Sequence, residues 1–349
     1  MTPAPLGTAT APPEARVAEP AACALPEGCA HVVLYDADGS DRDVSVDHIE
    51  IGRLQDQQLL WIDVECDSAG LIDDIGARLA LPRDAIEALK RMDTTPGVEN
   101  YGDCFHVQAV AVHHEGALKF NGSVLGIVAG ANFVFSVHHQ PLPFIVRLRE
   151  RERGESELGA LSAESFTASL LDWQLSSYFD AVSEFEAAVE RLEVEILSEK
   201  SNRCLEDLRG LRRAASRLRR MLAPHRALFA GLARPDFRPR SSGEVNAHFE
   251  RLETHYERAM DMVQNTRDLV VGSFELFSSQ TALRTNDAMR VLTFVTVLLG
   301  TLAVLAGVLG MNFDAPFFHT GGTGFVGALA AMVGVVVVAV VVARRRRWL

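Results

Sequence analysis

Patterned cysteine is missing from this chain. Its five cysteines, Cys23, Cys29, Cys66, Cys104 and Cys204, are scattered and odd in number. No CxxC pair occurs among them, so neither a zinc knuckle nor a disulfide framework is indicated, and the usage fits a reducing compartment. Equally absent are a GxGxxG running into a helix, a phosphate loop and a GxSxG elbow. No catalytic constellation takes their place, so the chain does not read as an enzyme. Positive charge is short: 34 lysines and arginines stand against 46 aspartates and glutamates, a formal net charge of −12. That balance argues against nucleic acid as a partner. An acidic surface suits cations, and equally well plain solubility. The Ala- and Pro-rich residues 1–30 have neither the basic start nor the apolar core of a signal peptide and read as a disordered tail.

What the chain does have is two long runs without charge, residues 291–309 and 325–343. Each is about 19 residues, close to the roughly 20 that a helix rising 1.5 Å per residue needs to cross a bilayer. Fifteen residues separate them, so they read as a hairpin of transmembrane helices. Arg284 and Arg290 precede the first run, Arg344 to Arg347 follow the second, and the segment between carries only Asp314. The positive-inside rule then places both ends in the cytoplasm and the loop outside, with Trp348 as an interfacial anchor.

The first run carries a second pattern. Steps of four and three from Glu275 reach Ser279, Ala282, Asn286, Met289, Thr293, Thr296, Gly300, Ala303, Gly307 and Gly310. After Glu275 every residue on this line is small or polar except Met289, while the residues between are mostly Val, Leu and Phe. A sustained spacing of 3.5 keeps one helix face aimed at a common axis. Two readings stand: close packing of membrane helices, which small residues permit, or a path surrounded by copies of the helix. Asn286, Thr293 and Thr296 on the line are more than packing requires.

Residues 31–160 have a mixed α and β texture. HVVLYDADG, LLWIDVE, CFHVQAVAVHH and SVLGIVAGANFVFSV read as strands, and LIDDIGARLALPRDAIEALKRM as two short helices broken at Pro82. His113 and His114 close one strand, His138 and His139 another, with His106 upstream. If those strands pair, the imidazoles could hold a soft cation such as zinc; exposed strand ends also simply tolerate histidine.

Residues 161–290 turn helical. SLLDWQLSSYFDAVSEFEAAVERLEVEIL places apolar residues at threes and fours with Glu on the other faces. RCLEDLRGLRRAASRLRRMLAPHRALF is strongly basic, and its arginines are expected to pair with the acidic helix before it rather than form a nucleic-acid or lipid patch. ARPDFRPRSSGE breaks the helix. From about Val245 to Gly310 no breaker intervenes apart from glycines on the stripe, which predicts one rod of some 66 residues, roughly 100 Å long. Its cytoplasmic part is too polar to stand alone, and a bundle of identical rods is the simplest support.

Gly310-Met311-Asn312 lies at the outer end of the first span, before a short loop and a second span. In that position it resembles the CorA family of divalent-cation channels, whose signature it is. The NxxM of Asn286–Met289, the run MRVLTF and the terminal RRRRWL extend the resemblance, which covers the chain from about His31 onward. It implies a homopentameric funnel: an α+β cytoplasmic domain (mixed sheet with flanking helices), very long helices, and two C-terminal transmembrane helices in a bacterial-type inner membrane. The segments are then 31–160 for the domain, 161–290 for the stalk, 291–310 and 325–343 for the spans, 311–324 for the outer loop and 344–349 for a basic cytoplasmic tail.

The resemblance also assigns roles. Hydrated Mg²⁺, also Co²⁺ or Ni²⁺, would pass along the potential, because Mg²⁺ gives up water reluctantly and neutral dipoles hold it weakly enough to let it leave. Asn312 would form an amide ring at the mouth, beside Gly310 and Met311. Asn286 and Met289 would form the cytoplasmic constriction, and Thr293, Thr296, Gly300, Ala303 and Gly307 the path. Mg²⁺ is implied as regulatory ion too, at Asp84 and Glu275. Asp84 reads equally as a plain acid at a helix N-terminus. Arg251 stands where the family usually has an aspartate, with Glu250 or Glu253 as substitutes. The outer loop FDAPFFHTGGTGF replaces an MPEL-like segment, and only Asp314 supplies negative charge there. Glycine-rich loops occur in the zinc-transporting ZntB branch, so a proton-coupled Zn²⁺ transporter is the alternative, and a non-transporting sensor or scaffold the third. Partners are copies of the chain, divalent cations and the bilayer; no bound cofactor is expected.

Overall fold

A computed structural model describes residues 29–48, 54–55, 57–65, 68–116, 118–151, 157–198, 203–234, 237, 243–311 and 321–346. It divides into two compact units: residues 1–111, 122–175 and 224–256, and residues 112–121, 176–223 and 257–349.

The first unit is built on a mixed sheet. Its strands are β1 (Ala30–Asp36), β2 (Arg42–Asp43), β3 (Gln58–Glu65), β4 (Gly97–Asn100), β5 (Phe105–His114), β6 (Phe120–Ala129) and β7 (Phe133–His138), in the order β2-β1-β3-β7-β6-β5-β4. β3 pairs with β7 in parallel, while β1–β3, β6–β7 and β4–β5 are antiparallel. The apolar run of β3, broken only by Asp63, is explained by its central place: Leu59 to Val64 are all buried, as strands covered on both faces must be. On one face lie α1 (Ala69–Arg78) and α2 (Arg83–Arg91), whose Leu71, Ile72, Ile75 and Leu89 pack with Ile62, Phe135 and Val137. The break falls at Pro82, as the sequence predicts, and Ser68 caps α1 by accepting from the Leu71 amide. Gly76 lets the two helices touch: a Cβ there would lie 2.7 Å from Ile86 Cδ1. Trp61 meets Phe166 of α4 (Ala163–Ser198) edge-on, with centroids 5.4 Å apart.

Three elements go beyond the sequence reading. β4 is four residues with one large apolar side chain, too short for a periodic signal. α3 (Pro143–Arg151) follows a Pro-rich approach and carries three arginines, which hides its helical period. The basic stretch is two helices, α5 (Cys204–Leu222) and α6 (His225–Leu232), because Pro224 interrupts it.

α7 runs from Gly243 to Leu309 without interruption, 67 residues, and α8 is Gly321–Arg345. Both contain segments long and apolar enough to cross a membrane. In the second unit the arginines of α5 do not meet the acids of α4. Leu208, Leu211, Leu218 and Leu222 take the buried face of α5, and Arg209, Arg213, Arg217 and Arg220 recur on the opposite one, exposed. Among the described residues no ion pair joins the two helices. The expected pairing fails because the amphipathic packing of α5 turns its charges outward.

Candidate functional site

Within the second unit α7 buries one face and leaves another bare. Ala259, Val263, Thr266, Val270 and Ser273 are buried at steps of four and three. Ser273 Oγ donates to Glu193 Oε1 at 2.8 Å and Arg284 Nη2 to the Ile196 carbonyl at 3.4 Å, which ties this stretch to α4. Higher up, Phe294, Leu298, Leu302 and Leu309 are half-buried. Two positions along a helix is a rotation of about 200°, so Glu275 lies opposite Ser273 and begins a separate face.

That face is the stripe. Glu275, Ser279, Ala282, Asn286, Met289, Thr293, Thr296, Gly300, Ala303, Gly307 and Gly310 are all exposed. A Cβ added at Gly300 or Gly307 would meet nothing within 4 Å, so nothing in the chain itself requires glycine there. Thr296 returns its hydroxyl to the Leu292 carbonyl at 2.8 Å, leaving the oxygen's lone pairs facing outward. Ala303 stands at the edge, where with Leu302 and Ala306 it also borders a groove of about 500 Å³ shared with Met332 and Val336 of α8. Met311 is exposed; Asn312 and Asp314 lie outside the described residues.

The other sequence-predicted acids belong to the first unit. Asp84 sits exposed in the first turn of α2, where a carboxylate complements the helix N-terminus. Glu250 is exposed and Glu253 half-buried on α7. Between them Arg251 lines a groove of about 450 Å³ in the first unit, with Asp172, Trp173, His248 and His255. His255 Nδ1 and Asp172 Oδ1 are 2.5 Å apart, and His248 Nδ1 and Ser165 Oγ 3.1 Å. Sequence reasoning missed these histidines; their separation by seven positions, which puts them on one helix face, was the available signal.

The histidines expected to gather do not form a cluster. His113 and His114 close β5 and His138 closes β7, strands that β6 separates in the sheet. His113 Nε2 pairs with Glu115 at 3.2 Å, and the His114 ring lies 5.2 Å from that of Phe120. His138 is buried, with Nδ1 donating to the Gln140 carbonyl at 2.7 Å and Nε2 3.3 Å from Asp63 Oδ2. Burial pushes its pKa down. Burial also lowers His106, to about 4, against a partial offset from Glu99. Among the described residues no group of three or more His, Cys, Asp or Glu is arranged to hold a metal ion.

A family model described as "CorA-like Mg2+ transporter protein" matches residues 56–345. The chain belongs to that family. It is similar to the cobalt/magnesium transport protein CorA of Thermotoga maritima, 28% identical over 187 residues, which are 54% of this chain and 53% of that protein. The match thus spans about half of the Thermotoga protein's length. With the cobalt/magnesium transport protein CorA of Methanocaldococcus jannaschii identity is 23% over 325 residues, 91% of this chain and 99% of the relative. The complete structure of the magnesium transporter CorA from Methanocaldococcus jannaschii superposes with a TM-score of 0.70 at 21% identity, covering 91% of this chain and 98% of that one. That likeness shows the fold: a mixed sheet with helices, a long helix and a further apolar helix. It is a family of transporters, not enzymes.

Proposed function

We propose that this CorA-family chain is a passive channel for hydrated divalent cations, Mg²⁺ first and Co²⁺ or Ni²⁺ as well. It assembles as a homopentamer in a bacterial-type inner membrane with both termini in the cytoplasm. One observation carries the reading: the chain leaves its small and polar stripe uncovered along α7, opposite the half-buried line of Phe294, Leu298, Leu302 and Leu309. Five copies of that face around an axis make a narrow lane of hydroxyls and backbone carbonyls, which meet a hydrated ion through its water. Asn312 supplies a ring of amide oxygens at the mouth, and Asn286 and Met289 the inner constriction. Arg284, Arg290 and Arg344 to Arg347 support the orientation. Asp84 and Glu275, with Glu250 or Glu253, are the acids proposed for a regulatory Mg²⁺.

The zinc alternative rests on the glycine-rich outer loop, and the scaffold alternative on the stripe's capacity for tight packing. Purified protein in liposomes separates the three. Mg²⁺ entry that follows the membrane potential and ignores a proton gradient supports the channel. Zn²⁺ uptake that rises with an inward proton gradient supports coupled transport, and silence towards Mg²⁺, Co²⁺, Ni²⁺ and Zn²⁺ supports the scaffold.

A further inference from the structure

The outward arginines of α5 have a counterpart on α4. Residues 209–220 contain six arginines and no acid, and residues 184–195 contain five glutamates against one arginine. Both stretches lie in the second unit. Arg209, Arg213 and Arg220 are exposed on the α5 face opposite its leucines, Arg217 beside them donates to Asn121 Oδ1 at 2.7 Å, and Glu186 and Glu190 are exposed on α4. Like charges four positions apart on a helix repel, so this face is held at a cost in the isolated chain.

Height decides which copy can relieve it. α4 runs alongside α7 in the same direction, since Glu193 and Ile196 bond to Ser273 and Arg284 in that order. α5 starts only six positions after α4 ends and returns, Arg217 reaching Asn121 of the segment whose Val112 amide donates to Ser177 of α4. Counted from position 201, midway in sequence between the end of α4 and the start of α5, Glu190 lies 11 positions before and Arg212 11 after, and Glu186 lies 15 before and Arg217 16 after. Rotation about an axis along α7 leaves height unchanged, so the glutamates of one copy stand level with the arginines of the next.

We propose that in the assembled protein the arginine face of α5 docks against the glutamate face of α4 of a second copy, chiefly Arg213 and Arg217 with Glu186 and Glu190. This rests on the self-assembly proposed above, though not on which ion passes. The test is the mass of the full-length protein in detergent as salt is raised, for wild type, R213E/R217E, E186R/E190R and all four changes together. Each pair alone should shed subunits at lower salt than wild type, and the fourfold exchange should restore the wild-type profile. Unchanged thermal melting of each variant shows that the exposed changes leave the chain folded. As a second measure, Glu190→Cys with Arg213→Cys should give disulfide-linked copies that neither single change gives. An oligomeric wild type indifferent to every reversal, or a fourfold variant no better than the pairs, overturns this contact and leaves self-assembly standing. A monomeric wild type overturns both. Loss of inorganic polyphosphate binding by R213E/R217E without any effect on mass assigns the face to a soluble polyanion and overturns the proposal.

Discussion

Asp63 is fully buried at the centre of the sheet, paired with Arg149 of α3, bonded by Ser136 and adjacent to His138. Removing one member of a buried ion pair strands the other charge, so Asp63→Ala is expected to lower stability by about 3–5 kcal/mol, read from the denaturant midpoint. His106 adds a pH dependence. Its Nε2 is buried without a partner, and burial holds its pKa near 4, below the ordinary 6.5. The unfolded chain therefore takes up a proton below pH 6.5 that the folded chain refuses until about 4. Stability should fall by roughly 3 kcal/mol across that window. His106→Gln should flatten this loss in unfolding curves taken from pH 7 to 4. At the mouth, Asn312→Ala removes the proposed amide ring and should abolish Mg²⁺ entry into liposomes while leaving the assembled mass unchanged.

At the scale of the element, α7 divides its circumference between its own chain and what lies outside it. A Cβ at Gly300 or Gly307 meets no atom within 4 Å, so Gly300→Leu or Gly307→Leu should leave folding of the protomer untouched. Either leucine would fill the lane between copies, and ion entry should drop to background. Retained flux would instead favour a stripe that does not line the path. This division was legible in the sequence because a fixed step of 3.5 marks a face whatever it contacts, and the long rod because nothing between Val245 and Gly310 stops a helix. Pro82 and the buried β3 run were legible for equally local reasons. Whether His113 and His138 meet depends on strand order, which no local pattern encodes, and β6 intervenes. The α5 arginines misled for a similar reason: opposite composition suggested a pair, but the leucines between them fixed which way they point. His248 and His255 passed unnoticed because their partners, Ser165 and Asp172, are 83 positions away.

For the whole molecule, one protomer leaves unfinished the two surfaces an oligomer would use: the stripe on α7 and the opposed charges on α4 and α5. In the proposed assembly a net charge of −12 would favour cations, and the arginine face of α5 would register one copy against the next. The central claim, that the stripe lines the cation path, is tested most directly by single cysteines at Thr293, Thr296 and Gly300, with Leu298 and Leu302 as controls, in protein reconstituted into liposomes. Mg²⁺ entry is measured before and after a charged, membrane-impermeant thiol reagent that leaves wild-type flux unchanged. The account predicts block at the three stripe positions and none at the two controls. Block at the controls alone, or equal sensitivity at all five, would contradict it.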